Sequence, residues 1–105
     1  MKMVRAIVRP EKEQEVVLAL EGAGFPAVTK SHVFGRGKQK GLQVGSVHYD
    51  ELPKLVLMMV VEDQNADEVV QLILKTARTG NIGDGKVFVS PVERSYTIRT
   101  GKPEL

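Results

Sequence analysis

From Lys2 to Arg9 apolar and polar side chains alternate, with Val4, Ala6 and Val8 on one side and Met3, Arg5, Ile7 and Arg9 on the other. A period of two is that of a strand, and Pro10, which lacks an N–H, ends it. From Glu11 the period lengthens: Val16, Ala19, Leu20 and Ala23 recur at helical spacing until Gly22 and Gly24 stop the helix. Val28 to Val33 reads as a second strand. Leu55 to Val61 is a continuous apolar run bounded by charge, as expected of a central strand covered on both faces. Asn65 stands three residues before Glu68, the spacing of a helix cap with its reciprocal carboxylate. Ala66, Val69, Val70, Ile73 and Ala77 then form one helical face. Val87 to Val89 and Ser95 to Arg99 are expected to be short strands, and Gly101-Lys102-Pro103 a tail.

Two glycine-rich loops interrupt this pattern. Gly35-Arg36-Gly37-Lys38-Gln39-Lys40-Gly41 is basic and leads into residues 41 to 52, which lack a clear period and read as a mobile loop. Thr79 to Lys86 is the second. The resulting order, strand, helix, strand, long loop, strand, helix, strand, is the α+β ferredoxin-like βαββαβ arrangement, an antiparallel sheet with two helices on one face. That fold hosts many functions, so function has to come from particular residues.

Composition narrows the field. A chain of 105 residues supports a single domain spanning 1–105, and one short enough to gain from oligomerisation. The net charge of +2 is too small to imply nucleic-acid binding. The absence of cysteine excludes disulfides and thiolate metal sites. The start of the chain carries no signal-peptide pattern, and no run of about 18 apolar residues suggests a membrane span, so a cytoplasmic protein is expected. An RNA-binding module of this fold needs stacking aromatics on its central strands, and Leu55 to Val61 has none. His32 and His48 have no evident catalytic partners, so an enzyme is not expected.

In Thr79-Gly80-Asn81-Ile82-Gly83-Asp84-Gly85-Lys86, glycines 83 and 85 let the backbone approach a ligand and present N–H groups to an anion, with Lys86 beside them. A Gly-Asp-Gly turn with a solvated lysine has the same local sequence. The Gly35 to Gly41 loop repeats the logic with Arg36, Lys38 and Lys40, yet it lacks the Gly-Lys-Ser/Thr ending of a P-loop. Taken singly, each loop leaves both readings open.

Taken together, the motifs resemble the PII signal-transduction family across nearly the whole chain. Thr79-x-x-x-Gly83-Asp84-Gly85-Lys86-Val87-Phe88-Val89 is similar to its C-terminal signature. Gly35-x-Gly37-x-Gln39-Lys40-Gly41 and Leu52-Pro53-Lys54 resemble the entry and exit of its long T-loop, and Ile98-Arg99-Thr100-Gly101 its C-terminal strand. The resemblance implies a trimer that binds ATP or ADP in clefts between subunits and, with MgATP, 2-oxoglutarate at the T-loop base. Ile7, Thr29 and Gly35 match positions on the adenine side. Lys38, Gly83, Gly85, Lys86 and Arg99 match phosphate contacts, with Lys40 and Asp84 in the same two motifs. Gln39 matches the Mg²⁺ ligand that also approaches 2-oxoglutarate. Lys54 matches the lysine that pairs with a carboxylate of that ligand, and Gly37 and Gly41 its backbone contacts.

The sequence also departs from the family pattern. Thr97 stands where an arginine is usual, ahead of Ile98-Arg99. The T-loop is short, its one tyrosine, Tyr49, lacks the flanks of a uridylylation site, and the arginine that plugs ammonium channels has no counterpart. Gly41-Leu42-Gln43-Val44-Gly45 resembles the nitrogen-fixation-operon PII proteins of methanogenic archaea, of the first of their two types. This implies a nitrogen-status sensor acting on dinitrogenase together with a second PII-like chain. Regulation of glutamine synthetase or an ammonium transporter is the rival expectation.

Overall fold

The structure is a computed structural model and describes residues 1–38, 42–49 and 51–105. Its elements run β1 (Lys2–Val8), α1 (Glu13–Gly22), β2 (Thr29–Gly35), β3 (Leu42–Val44), β4 (Val47–Tyr49), β5 (Leu52–Val61), α2 (Ala66–Ala77) and β6 (Gly85–Pro91). Four strands form one antiparallel sheet in the order β2-β5-β1-β6. This is the expected ferredoxin-like topology, with β3 and β4 paired as a separate ribbon inside the long loop.

The alternation in β1 decides which side of the sheet is covered. Val4, Ala6 and Val8 are buried beside Leu55, Leu57, Met59 and Val61 of β5. Onto this side α1 lays Val16 and Leu20, and α2 lays Ala66, Val69, Ile73 and Ala77. Removing these apolar side chains from water is the main drive for the fold, at about 25 cal/mol per Å². The opposite side carries Met3, Arg5 and Ile7 of β1 and Val56, Met58 and Val60 of β5, and among the described residues no helix crosses it. The long apolar run is therefore covered on one face within a chain and only partly sheltered on the other.

Several local expectations change. Residues 41 to 52 contain a hairpin: Leu42–Val44 pairs with Val47–Tyr49 around Gly45-Ser46, with Gly45 at φ 59. A glycine-led two-residue turn between β-forming triplets is a hairpin signal, but triplets are too short to show a period in the sequence. Asn65 makes no side-chain cap bond, because a 3₁₀ turn at Asp63–Asn65 precedes α2. The extended residue before this turn is Glu62, so the chain enters the helix earlier than a cap at Asn65 requires. Ser95 to Arg99 is not a strand of the sheet. Tyr96 makes one isolated bridge to Pro103, and the Gly101 N–H donates to the Thr97 carbonyl at 2.7 Å. This folds the segment back on itself, with Gly101 at φ 70. Pro53 is tolerated within β5 because β1 pairing stops at Leu55, leaving one side of β5 unpaired there.

Candidate functional site

The 79–86 loop connects α2 to β6, and one carboxylate organises it. Asp84 Oδ1 accepts from Arg9 Nε at 3.0 Å and from Thr79 Oγ1 at 2.5 Å. Asp84 Oδ2 accepts the N–H groups of Thr79 and Gly80 at 2.9 and 2.8 Å. Arg9 Nη2 also donates to the Ile82 carbonyl at 2.9 Å, which ties the loop to the end of β1. The Thr79 hydroxyl hydrogen bond, foremost, with the backbone N–H groups and Arg9, holds the Asp84 carboxyl well below the usual carboxylate range against the opposing effect of desolvation.

Asp84 was expected within the ligand-binding set, yet its acceptors are engaged inside the protein. It shapes the loop, and the Arg9 charge offsets its own, so a carboxylate inside the loop does not cancel the neighbouring cations. The N–H groups of Thr79 and Gly80 are likewise used internally. The part of the loop that lines a cleft is the later one, Gly83, Gly85 and Lys86.

Gly85 has a structural reason to be glycine. Its φ is 107, and a Cβ there would collide with the Ile7 carbonyl, because β6 begins directly against the end of β1. Gly83, at φ 103, has Arg9 Nη2 beside the position a Cβ would take, at 3.3 Å. Both readings of the Gly-Asp-Gly sequence therefore meet in one place: a tight internal turn, and a backbone left bare at the edge of a cleft.

That cleft, about 460 Å³, lies at the end of the open sheet face where both glycine-rich loops converge. Ile7, Gly35, Gly37, Lys38, Lys54, Gly83, Gly85 and Lys86, drawn from four separate stretches of sequence, all line it. Arg36, Leu52 and Phe88 line it too and were not expected there. Lys54 is half-buried, and its Nζ donates to the Gly83 carbonyl at 2.5 Å. Desolvation, followed by repulsion from Arg9, pushes the Lys54 ammonium below its ordinary value, with Glu11 and Asp84 opposing. An ammonium held by one carbonyl and disfavoured by a neighbouring guanidinium is ready to meet an anion. The sequence reading missed Arg9 as the organiser of Asp84; its place at the strand end opposite the Gly-Asp-Gly loop is visible only in the β1–β6 register.

Two expected residues lie elsewhere. Thr29 stands on β2, separated from β6 by the two central strands, roughly 14 Å across the sheet at ordinary strand spacing. It lines a different cavity, of about 700 Å³, beside Met58, Val60 and Glu62. Arg99 lies in the exposed turn 98–100 and borders neither cavity. Gln39, Lys40 and Gly41 lie outside the described residues, and with them the expected metal ligand. Among the described residues no group of three His, Asp or Glu side chains is placed to hold a metal ion, and no helix is long and apolar enough to cross a membrane.

Comparison with known proteins bears on the whole chain. Residues 1–102 match the family model described as nitrogen regulatory protein P-II. The chain is 60% identical over 100 residues to nitrogen fixation nifHD region GlnB-like protein 1 of Methanococcus maripaludis, covering 95% of each chain. It is 57% identical over 105 residues to the protein of the same description from Methanothermobacter marburgensis, covering all of both. Similarity extends, at 46% identity over 106 residues, to nitrogen regulatory protein P-II 2 of Methanothermobacter thermautotrophicus, covering 97% of this chain and 92% of that one.

Proposed function

The chain belongs to the PII family of nitrogen regulatory proteins, and from that premise we propose that it is a non-enzymatic sensor of ATP, ADP and 2-oxoglutarate, working as a trimer or as a mixed oligomer with a second PII-like chain. The observation that carries this reading is the separation of Thr29 from the other expected nucleotide contacts: Gly35, at the far end of the same strand, lines the cleft with Gly85 and Lys86, and Thr29 does not. Lys38, Gly83, Gly85 and Lys86 line the cleft beside β6, while Thr29 faces another cavity from β2. A single chain cannot bring these two groups onto one nucleotide. A neighbouring copy, setting its β2 edge against this β6 edge, supplies the missing half. Ile98, 99% exposed, and Arg99 beside it stand on a turn free to reach into that shared site.

Within the cleft, Lys86 and Lys38 would take the phosphates, the backbone from Gly83 to Gly85 would approach them closely, and Ile7 would offer an apolar wall to the base. Asp84 is committed to Arg9 and Thr79. Magnesium would therefore be held chiefly by phosphate oxygens and completed by the neutral amide of Gln39, donors suited to a hard cation. Lys54 would exchange the Gly83 carbonyl for a carboxylate of 2-oxoglutarate, which links the ligand to both the phosphate loop and the start of β5.

The output is the β3–β4 hairpin. Val44 and Val47 flank its turn and are 55% and 48% exposed. Apolar anchors of this kind carry much of an interface's energy. The nifHD-region descriptions of the relatives support dinitrogenase as the target, inhibited when ammonium is plentiful and released when MgATP and 2-oxoglutarate reshape the loop base. Regulation of glutamine synthetase or an ammonium transporter is the rival reading. Sedimentation with ATP titration tests the sensor: an oligomer binding one ATP per chain is expected, and a monomer indifferent to nucleotide refutes it. A pull-down from nitrogen-fixing cells given ammonium tests the target: dinitrogenase is expected, and glutamine synthetase or a transporter in its place refutes that assignment.

A further inference from the structure

The uncovered face of the sheet holds an unusual charge. Met3, Ile7, Val56, Met58, Val60 and Phe88 all stand on it, and Arg5 stands at its middle, opposite Met58 on one side and Phe88 on the other. Arg5 Nε donates to Met3 Sδ at 3.2 Å, a weak acceptor. Among the described residues Arg5 takes part in no ion pair, whereas Arg9 four positions on is matched by Asp84. No Asp or Glu occupies any position of β1, β2, β5 or β6 on this face, while Lys54 and Lys86 share it. The acid beyond its end, Glu62, lies four residues along β5 from Met58, roughly 13 Å away at ordinary strand rise.

An apolar face of this kind on a short chain is covered by further copies, and here the inference rests on the trimer proposed above. Closing three such faces around an axis brings the mid-face residue of each copy nearest that axis. Three Arg5 guanidinium groups then meet behind a rim of methionine and phenylalanine. Guanidinium does not deprotonate in proteins, so the charge cannot be relieved by losing a proton. Unpaired charge removed from water is costly, and like charges add repulsion. An oxyanion resolves both problems, since guanidinium presents parallel N–H donors that match its oxygens.

We propose that the trimer binds one small inorganic oxyanion of the phosphate class on its axis, held by the three Arg5 side chains and separate from the nucleotide clefts. The test is thermal unfolding of the trimer with ATP saturating, so that the phosphate loops are occupied, comparing inorganic phosphate with chloride at equal ionic strength. Tm rises with the logarithm of phosphate concentration. At about a hundredfold excess over the dissociation constant, one site on a trimer of this size gives a gain of about 4 °C. Arg5→Met abolishes the response and is at least as stable as the unaltered trimer in chloride, because repulsion is removed. Arg5→Lys keeps the charge without the fork and shifts the response to higher phosphate. A trimer equally stable in phosphate and chloride overturns the site while leaving the sensor reading standing. A response that survives Arg5→Met also overturns it, and a protein that sediments as a monomer overturns both.

Discussion

Replacing Gly85 by alanine probes the junction on which the candidate site is built. Gly85 sits at φ 107, opposite Val8, and a Cβ there would strike the Ile7 carbonyl. Gly24 is the matched control: its φ is 95, and nothing lies within 4 Å of where its Cβ would be. Both substitutions force an L side chain into a backbone region it avoids, at about 1–3 kcal/mol each. Only Gly85→Ala adds a collision with backbone that cannot swing aside, comparable to overpacking a core and costing about 1–3 kcal/mol more. For a chain of this length each kcal/mol lowers Tm by about 4–8 °C. Gly85→Ala should therefore unfold at least about 4 °C below Gly24→Ala when both are followed by circular dichroism in the same oligomeric state. It should also lose ATP affinity, because the bare backbone beside Lys86 is displaced. Equal melting of the two variants would refute the close β1–β6 junction and with it the placement of the phosphate loop.

Four further outcomes follow from the same geometry. The folded-state acidity of Asp84 is raised, so its stabilisation is complete above its unfolded pKa of about 4 and is lost as pH falls below the ordinary carboxylate range. Urea midpoints of the parent protein should fall through that acid window more steeply than those of Asp84→Asn, and parallel profiles would contradict the role given to this carboxylate. Lys86→Ala should weaken ATP binding about 10- to 100-fold by equilibrium dialysis, the worth of a charge-assisted hydrogen bond; unchanged affinity would remove Lys86 from the phosphate site. Changing Val44 and Val47 to serine should leave urea stability within about 0.5 kcal/mol, since both are exposed, yet reduce capture of dinitrogenase at least about tenfold. Tyr49 should carry no uridylyl group in protein from nitrogen-replete cells, and a mass shift on its peptide would say otherwise.

The fold was legible wherever period and burial coincide. Val4, Ala6 and Val8 alternate because one side of β1 is buried, and Val69, Ile73 and Ala77 recur because one side of α2 is. Less legible was anything set by a short turn or by a neighbour distant in sequence. The Asn65 and Glu68 spacing suggests a cap, and α2 does start at Ala66, but the 3₁₀ turn before it leaves Asn65 in helical backbone with no side-chain cap bond. Ser95 to Arg99 has strand-like composition, yet the chain turns back at Gly101 and leaves it with one bridge. The hairpin was hidden because its strands are three residues each, too short to show a period. For the site, the glycine and lysine positions could be named in advance, because close approach and charge are properties of residue type. The tie between Arg9 and Asp84 could not, since 75 positions separate them and only the strand register brings them together. The separation of Thr29 from Lys86 was equally invisible, because sheet order and not sequence order sets that distance.

The central claim is that nucleotide and 2-oxoglutarate are sensed together at one shared cleft, with Lys54 passing from the Gly83 carbonyl to the dicarboxylate. Calorimetric titration of the oligomer with 2-oxoglutarate, with and without MgATP, tests it most directly. Binding only in the presence of MgATP is expected, with 2-oxoglutarate tightening ATP binding by the same factor, as linkage requires. Equal 2-oxoglutarate affinity in the two titrations would contradict the account.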